Sequence, residues 1–176
     1  MVDLNKADEY IERARIDSLA IQILLPHLDS VPETICDMCQ QCAEKMLKQM
    51  FLDHGSFPPR SHDLVELVRQ ASEHGWMDTV EEDLAPIIFL NSYGVKSRYL
   101  TLSESERAEA VEAVASLRSV SDMLSRNNAQ HIQLDTDIAY LHSSAKRDDY
   151  EVSVEGLSCI ESIATGGVHT DHNPSL

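Results

Sequence analysis

Aromatic residues are scarce: three Phe, five Tyr and one Trp amount to 5% of the 176 residues. Ring stacking therefore cannot build the core, and aliphatic side chains with six Met must fill it. Long apolar runs are missing as well. No stretch approaches the roughly 20 residues needed to cross the hydrocarbon of a bilayer. The opening segment MVDLNKADEY lacks the charged-then-apolar build of a secretory leader. A cytoplasmic protein without a membrane partner is the expectation. Basic residues are in deficit: Lys+Arg number 14 against 30 Asp+Glu, giving a net charge of −16. Such a surface repels phosphate backbones, which argues against non-specific nucleic-acid binding while leaving room for a local cationic pocket.

Cysteine is sparse too, with four residues at 36, 39, 42 and 159. The first three form a C-x2-C-x2-C run, but they fall within one arc of a single helical pattern. Metal sites need thiols converging from a loop or from several elements, so packing is the expected role and no metal or cofactor is expected. The length suits one domain, or one domain plus a tail, and a hydrophobic content of 43% is enough for a single core.

The most strongly patterned stretch runs from Ile35 to Leu64. Ile35, Met38, Cys39, Cys42, Ala43, Met46, Leu47, Met50 and Phe51 recur at three- and four-residue steps, the spacing of one buried helix face. Gln41, Glu44, Lys45 and Lys48 are assigned to the opposite face. Ser30 and Glu33 form a capping box before this helix. Gly55 and Pro58-Pro59 stop it, and Ser61 is placed as the cap of the next.

A first helix is expected from Asp3 to about His27. Its stripe of Ala7, Tyr10, Ile11, Ala14, Ser18, Ile21 and Leu25 is widened by Ile16, Leu19, Ala20 and Ile23, which predicts contact on two sides. Asp17, at the edge of that arc, needs a cationic partner. The third helix runs to about Glu73 with Leu64, Leu67, Val68 and Ala71 inward. A fourth starts near Asp78 or Thr79, carries Leu84, Ile87, Ile88 and Asn91 on one side, contains Pro86 and stops at Gly94. A fifth follows a second box at Ser103–Glu106 and has Ala110, Ala113, Val114, Leu117, Val120, Ser121 and Leu124 as its seam. There is no internal repeat. Residues 127–176 hold scattered apolar residues among Ser, Thr, Asp and His, and read as a polar acidic tail, largely disordered or loosely docked. The fold class is all-α: an up-and-down bundle of about five helices over residues 1–126.

The segment MCQQCAEKMLKQMFLDHGSFPPRSHDLVELV resembles the HEPN domain family. It carries that family's QQ-x-x-EK-x-LK pattern at Gln40, Gln41, Glu44, Lys45, Leu47 and Lys48. The His54-Gly55 stop and the Pro59-Arg60-Ser61-His62-Asp63-Leu64 turn follow. LNSYGVKSRYL at 90–100 is similar to the segment that ends in Thr-Arg-Tyr-Pro in one branch, with Ser97 for Thr and Leu100 for Pro. The resemblance covers roughly residues 5–125. It implies a helical bundle, a homodimer and one of two activities. The Arg-Tyr branch partners minimal nucleotidyltransferases or binds nucleotides such as ATP or GTP without catalysis. Other members are metal-independent ribonucleases of toxin and defence systems, with an Arg and a His four to six residues apart.

Lys45, Lys48, His62, Asp63, Arg98 and Tyr99 are accordingly the candidate nucleotide-binding residues. Lys45 and Lys48 can offer cations to a phosphate, or pair locally with Glu44 and Asp53. Asp63 suits the positive end of the third helix. Arg98 can answer Asp17 or face a phosphate. Arg126 and His131 meet the ribonuclease spacing, Arg to hold a phosphate and His to move a proton, but they fall where the bundle gives way to the tail. The non-catalytic module is the preferred expectation, and the ribonuclease the alternative.

Overall fold

The computed structural model describes residues 8–96 and 107–134. Five α-helices account for most of them: α1 (Glu9–Leu24), α2 (Pro32–Asp53), α3 (Leu64–Glu73), α4 (Glu81–Lys96) and α5 (Arg107–Arg126), with a 3-10 turn at Leu25–His27 after α1. No strand occurs among the described residues.

α2 is the axis of the bundle. It packs against each of the other four helices, and the expected stripe is buried throughout except for half-buried Met38. The stripe is only part of what α2 buries. Gln40, Glu44, Lys48 and Gln49 are buried as well, so of the face assigned to solvent Glu44 and Lys48 are internal, Lys45 is half-buried and Gln41 stays exposed. A helix contacted from every side must bury polar residues or lack them, and those that stay need partners. Gln49 shows how. Its Oε1 accepts a hydrogen bond from Ile11 N (3.1 Å) and its Nε2 donates to Asp53 Oδ1 (2.8 Å). Ile11 N is one of the orphan donors in the first turn of α1, so α2 caps α1 from the side.

Three helix ends share one design. Gly55 and Gly75 take φ of +70° and +69°, where a residue without Cβ is unstrained. After α2, Gly55 N donates to Leu52 O and Ser56 N to Phe51 O. After α3, Gly75 N donates to Ser72 O and Trp76 N to Ala71 O. This 5→2, 6→1 pair is the Schellman arrangement. α5 ends the same way on Asn128, at φ 56°, with Ala129 N donating to Leu124 O. Trp76 packs edge-on to Phe51 and stacks with His54 and His74, which ties the first two stops together.

Several local expectations are corrected. α2 has Val31 at its N-cap with no side-chain cap bond, because Ser30 is folded into the preceding turn, its N donating to His27 O. α3 is capped by Asp63, whose Oδ1 accepts from Glu66 N (3.1 Å). Ser61 Oγ instead accepts from Asp63 N (3.1 Å). Gly94 is no stop: it lies inside α4, where a Cβ would sit 3.0 Å from Gln40 Nε2. Its role is close approach of α4 to α2. Ile16, Leu19 and Ile23 of α1 are exposed, as are Leu84 and Ile88 of α4. The bundle has no further described element to cover them.

Residues 127–134 lie against the bundle. Gln130 Nε2 donates to Asp53 Oδ1 (3.0 Å) and Asp8 Oδ1 (3.3 Å). Ser121 Oγ donates to Ile132 O (2.6 Å), and Leu134 is buried. The remainder of the expected tail, the second capping box and the start of the first helix fall outside the described residues. No helix is long and apolar enough to cross a membrane among them.

Candidate functional site

Gln40, Glu44 and Lys48 stand four residues apart, in one row along α2. Glu44 is the hub. Its Oε1 accepts from Lys48 Nζ (2.8 Å) and sits 2.9 Å from His62 Nδ1. Its Oε2 accepts from Gln40 Nε2 (3.2 Å). Gln40 Nε2 also reaches His62 O (3.4 Å), so the α2–α3 loop is tied to α2 through side chain and backbone. The opening for Gln40 is made by Gly94. Leu64 N donates to Asn91 Oδ1 (2.8 Å), which joins the same loop to α4. Side chains of α2 and of the loop converge on one carboxylate, and α4 closes against Gln40 at Gly94.

The pair at the centre is buried, with side-chain exposures of 7% for Lys48 and 11% for Glu44, whereas His62 is 53% exposed. Burial pushes the Glu44 carboxyl up, but the hydrogen bond and charge of Lys48, with Gln40 and His62, pull further the other way. The net result lies below the usual value of 4.5. An ionised Glu44 accepts the Nδ1 proton of His62, which leaves Nε2 as the acceptor of the neutral ring. Arg60, two residues earlier, is exposed. In a chain of net charge −16, Lys48 cancels Glu44 and the exposed Arg60 offsets the exposed Asp63, so this loop is close to neutral where most of the surface is acidic.

The other sequence candidates are distributed differently. Lys45 forms an ion pair with Asp17 of α1. This is the partner Asp17 needs, a role that Arg98 had been offered for. Arg98 and Tyr99 lie outside the described residues. The Asp63 carboxylate is occupied as the α3 cap. Arg126 Nη2 donates to Asp83 Oδ1 (2.5 Å), while Asp83 Oδ2 accepts from Val80 N (2.9 Å) at the start of α4. His131 has its Nδ1 3.0 Å from Ala129 O. The Arg and the His thus have separate partners. Lys48 and His62 are brought together; Asp63, next to His62, turns its carboxylate to the α3 cap, and Lys45, Arg126 and His131 are elsewhere.

Gln40 and Glu44, though part of the quoted motif, were not among the site candidates. Their four-residue spacing to Lys48 was the available signal. The three described thiols are all buried. Cys42 Sγ donates to Ala14 O (3.4 Å), and burial, with the nearby Asp17 charge, pushes the thiol up to about 12. Burial also raises Cys39 well above its ordinary value. These side chains behave as packing groups.

Fold and site together define a small all-α bundle built on one central helix, with a Gln-Glu-Lys-His cluster that closes the loop after it. That description has a family. The model of the HEPN domain matches residues 4–128, more than half of the chain, and the protein belongs to the HEPN family. No curated protein and no solved structure matches it.

Proposed function

We propose that this chain is a non-catalytic HEPN module that binds a nucleotide, such as ATP or GTP, through the loop at His62, and that it works as a homodimer beside a nucleotidyltransferase in the cytoplasm. The observation that carries the reading is the convergence of Lys48 and His62 on Glu44 Oε1, with His62 half in solvent and Arg60, two residues earlier, exposed. A bound phosphate would meet the exposed Arg60 guanidinium first, and the His62 Nε2, with Nδ1 given to Glu44, would accept from a hydroxyl or amino group of the nucleotide. Lys48, buried and neutralised by Glu44, acts from behind by fixing the carboxylate that orients the His62 ring. Arg98 and Tyr99, which resemble the Arg-Tyr motif of the nucleotidyltransferase-associated branch, are the other residues assigned to this role.

The ribonuclease alternative needs the Arg126 guanidinium for a phosphate, yet Asp83 holds it, and His131 answers to a backbone carbonyl of its own loop. Cleavage would have to begin by breaking the ion pair that also caps α4. Purified protein is expected to leave RNA intact.

Calorimetric titration of the full chain with ATP and GTP is the test. Binding is expected for at least one of them, weakened by His62→Ala, Arg60→Ala and Arg98→Ala. No binding by the unmutated protein would remove the nucleotide and leave a partner-binding role. RNA cleavage that is lost in His131→Ala would overturn the non-catalytic reading.

A further inference from the structure

α3 and α4 run antiparallel and leave a groove between them. Its walls are Val65 and Val68 on α3 and Leu84, Ile87 and Ile88 on α4, enclosing about 440 Å³. Val65, Leu84 and Ile88 are 42%, 47% and 59% exposed. On each helix these residues follow three- and four-residue steps, so the groove is a pair of ridges one helix long. A chain with so much acid would be expected to carry polar residues here. Keeping three large aliphatic side chains in water on facing ridges marks a surface meant to be covered.

The rim identifies the occupant. Arg69 is the basic residue of the lining, and it is held by Glu66 and Glu73 of its own helix. Those three sum to −1. Glu81, exposed, continues the Leu84–Ile88 row one turn toward the start of α4, and Glu82 next to it in the chain and Asp78 three residues earlier are exposed as well. The rim is therefore acidic at the end where α3 gives way to α4. The same charge disfavours a second copy as occupant, because acidic rims brought together repel. We propose that this groove receives an amphipathic helix of a different protein, with apolar residues at i, i+3/i+4 and i+7 and Lys or Arg flanking them. Two ridges of Val, Leu and Ile accept such a stripe as a third helix accepts its place in a bundle. The acidic rim sets its direction and speeds the encounter.

The probe is an amidated Leu/Lys helix of about fifteen residues, titrated into the isotopically labelled full chain and followed by amide shifts. Two controls share its length: a scrambled peptide of identical composition, and a Leu/Glu peptide of identical pattern. Shifts are expected at Val65, Ser72, Leu84 and Ile88 with the Leu/Lys helix alone. The double variant Leu84→Ser/Ile88→Ser removes two half-exposed side chains, leaves the core intact and should weaken binding about tenfold or more. Glu81→Lys should weaken it without touching the apolar walls. Equal binding of the scrambled peptide, shifts spread over the acidic surface, or unchanged affinity of the double variant would overturn the proposal. So would a homodimer that Leu84→Ser/Ile88→Ser dissociates, since a second copy would then own the groove.

Discussion

Glu44→Gln is the most informative single substitution. It keeps the volume and one carbonyl acceptor but leaves the Lys48 ammonium, 7% exposed, without a counter-charge. Removing one partner of a buried pair costs about 3–5 kcal/mol when both groups are fully enclosed. His62, half in solvent, opens one side of this cluster, so about 3 kcal/mol is expected. Lys48→Met is the milder lesion. Glu44 keeps the His62 Nδ1 and Gln40 Nε2 donors, and about 2 kcal/mol is expected, the loss of one charged hydrogen bond. In the double variant Glu44→Gln/Lys48→Met neither charge is stranded. The total should fall below the sum of the singles by at least about 1 kcal/mol. Trp76, the single tryptophan, is packed on Phe51 at the end of α2, so urea unfolding followed by its fluorescence reads the loss of this bundle. An additive cycle, within about 0.5 kcal/mol, or a Glu44→Gln cost below about 1 kcal/mol, would refute the view that Glu44 and Lys48 neutralise each other inside the fold.

Other outcomes follow from the same geometry. The Glu44 carboxyl ionises below its usual 4.5 in the folded protein, so its contribution is complete above that pH and declines as pH falls through the folded value. Glu44→Gln should therefore flatten the acid limb of a stability-versus-pH curve, and an unchanged limb would contradict the shift. Cys36, Cys39 and Cys42 are buried thiols and should stay unmodified by iodoacetamide at pH 8 in the native state, reacting only in denaturant. Peptide mass mapping reads this, and native labelling at any of the three would contradict their placement. Gly55→Ala and Gly75→Ala each force a Cβ into φ near +70° at about 1–2 kcal/mol. Asn128→Gly, at φ 56°, should be neutral or mildly stabilising, and the three changes should add, being in separate helix ends.

Periodicity carried far in this chain because the core is aliphatic and the helices are long. The α2 stripe, the inner faces of α3 and α5 and the Gly55 and Gly75 stops are all visible as spacing. What it could not show was the polar interior. Gln40, Glu44, Lys48 and Gln49 lie beyond the apolar arc of α2, and only the arrival of α1, α4 and the loop at His62 buries them. Hydropathy also overstated contact at Ile16, Leu19, Leu84 and Ile88, since an apolar face predicts a need for cover rather than its presence. The end of α5 is legible to within a residue of Arg126, but its left-handed Asn128 is not, because such a stop usually announces itself as Gly. The tertiary reach of Gln130, Ile132 and Leu134 has no local signal at all. The family motif contains the row that meets at Glu44, Gln40 and Lys48 included, but mixed with Gln41, Lys45 and Leu47, which lie off it.

The most direct test of the account is amide-shift mapping of the full chain during titration with ATP and with GTP. Perturbations centred on Arg60, His62, Lys48 and Gly94 are predicted. No shifts with either nucleotide, or shifts gathered at Arg126 and His131 instead, would contradict the assignment of the ligand to the loop that Glu44 holds.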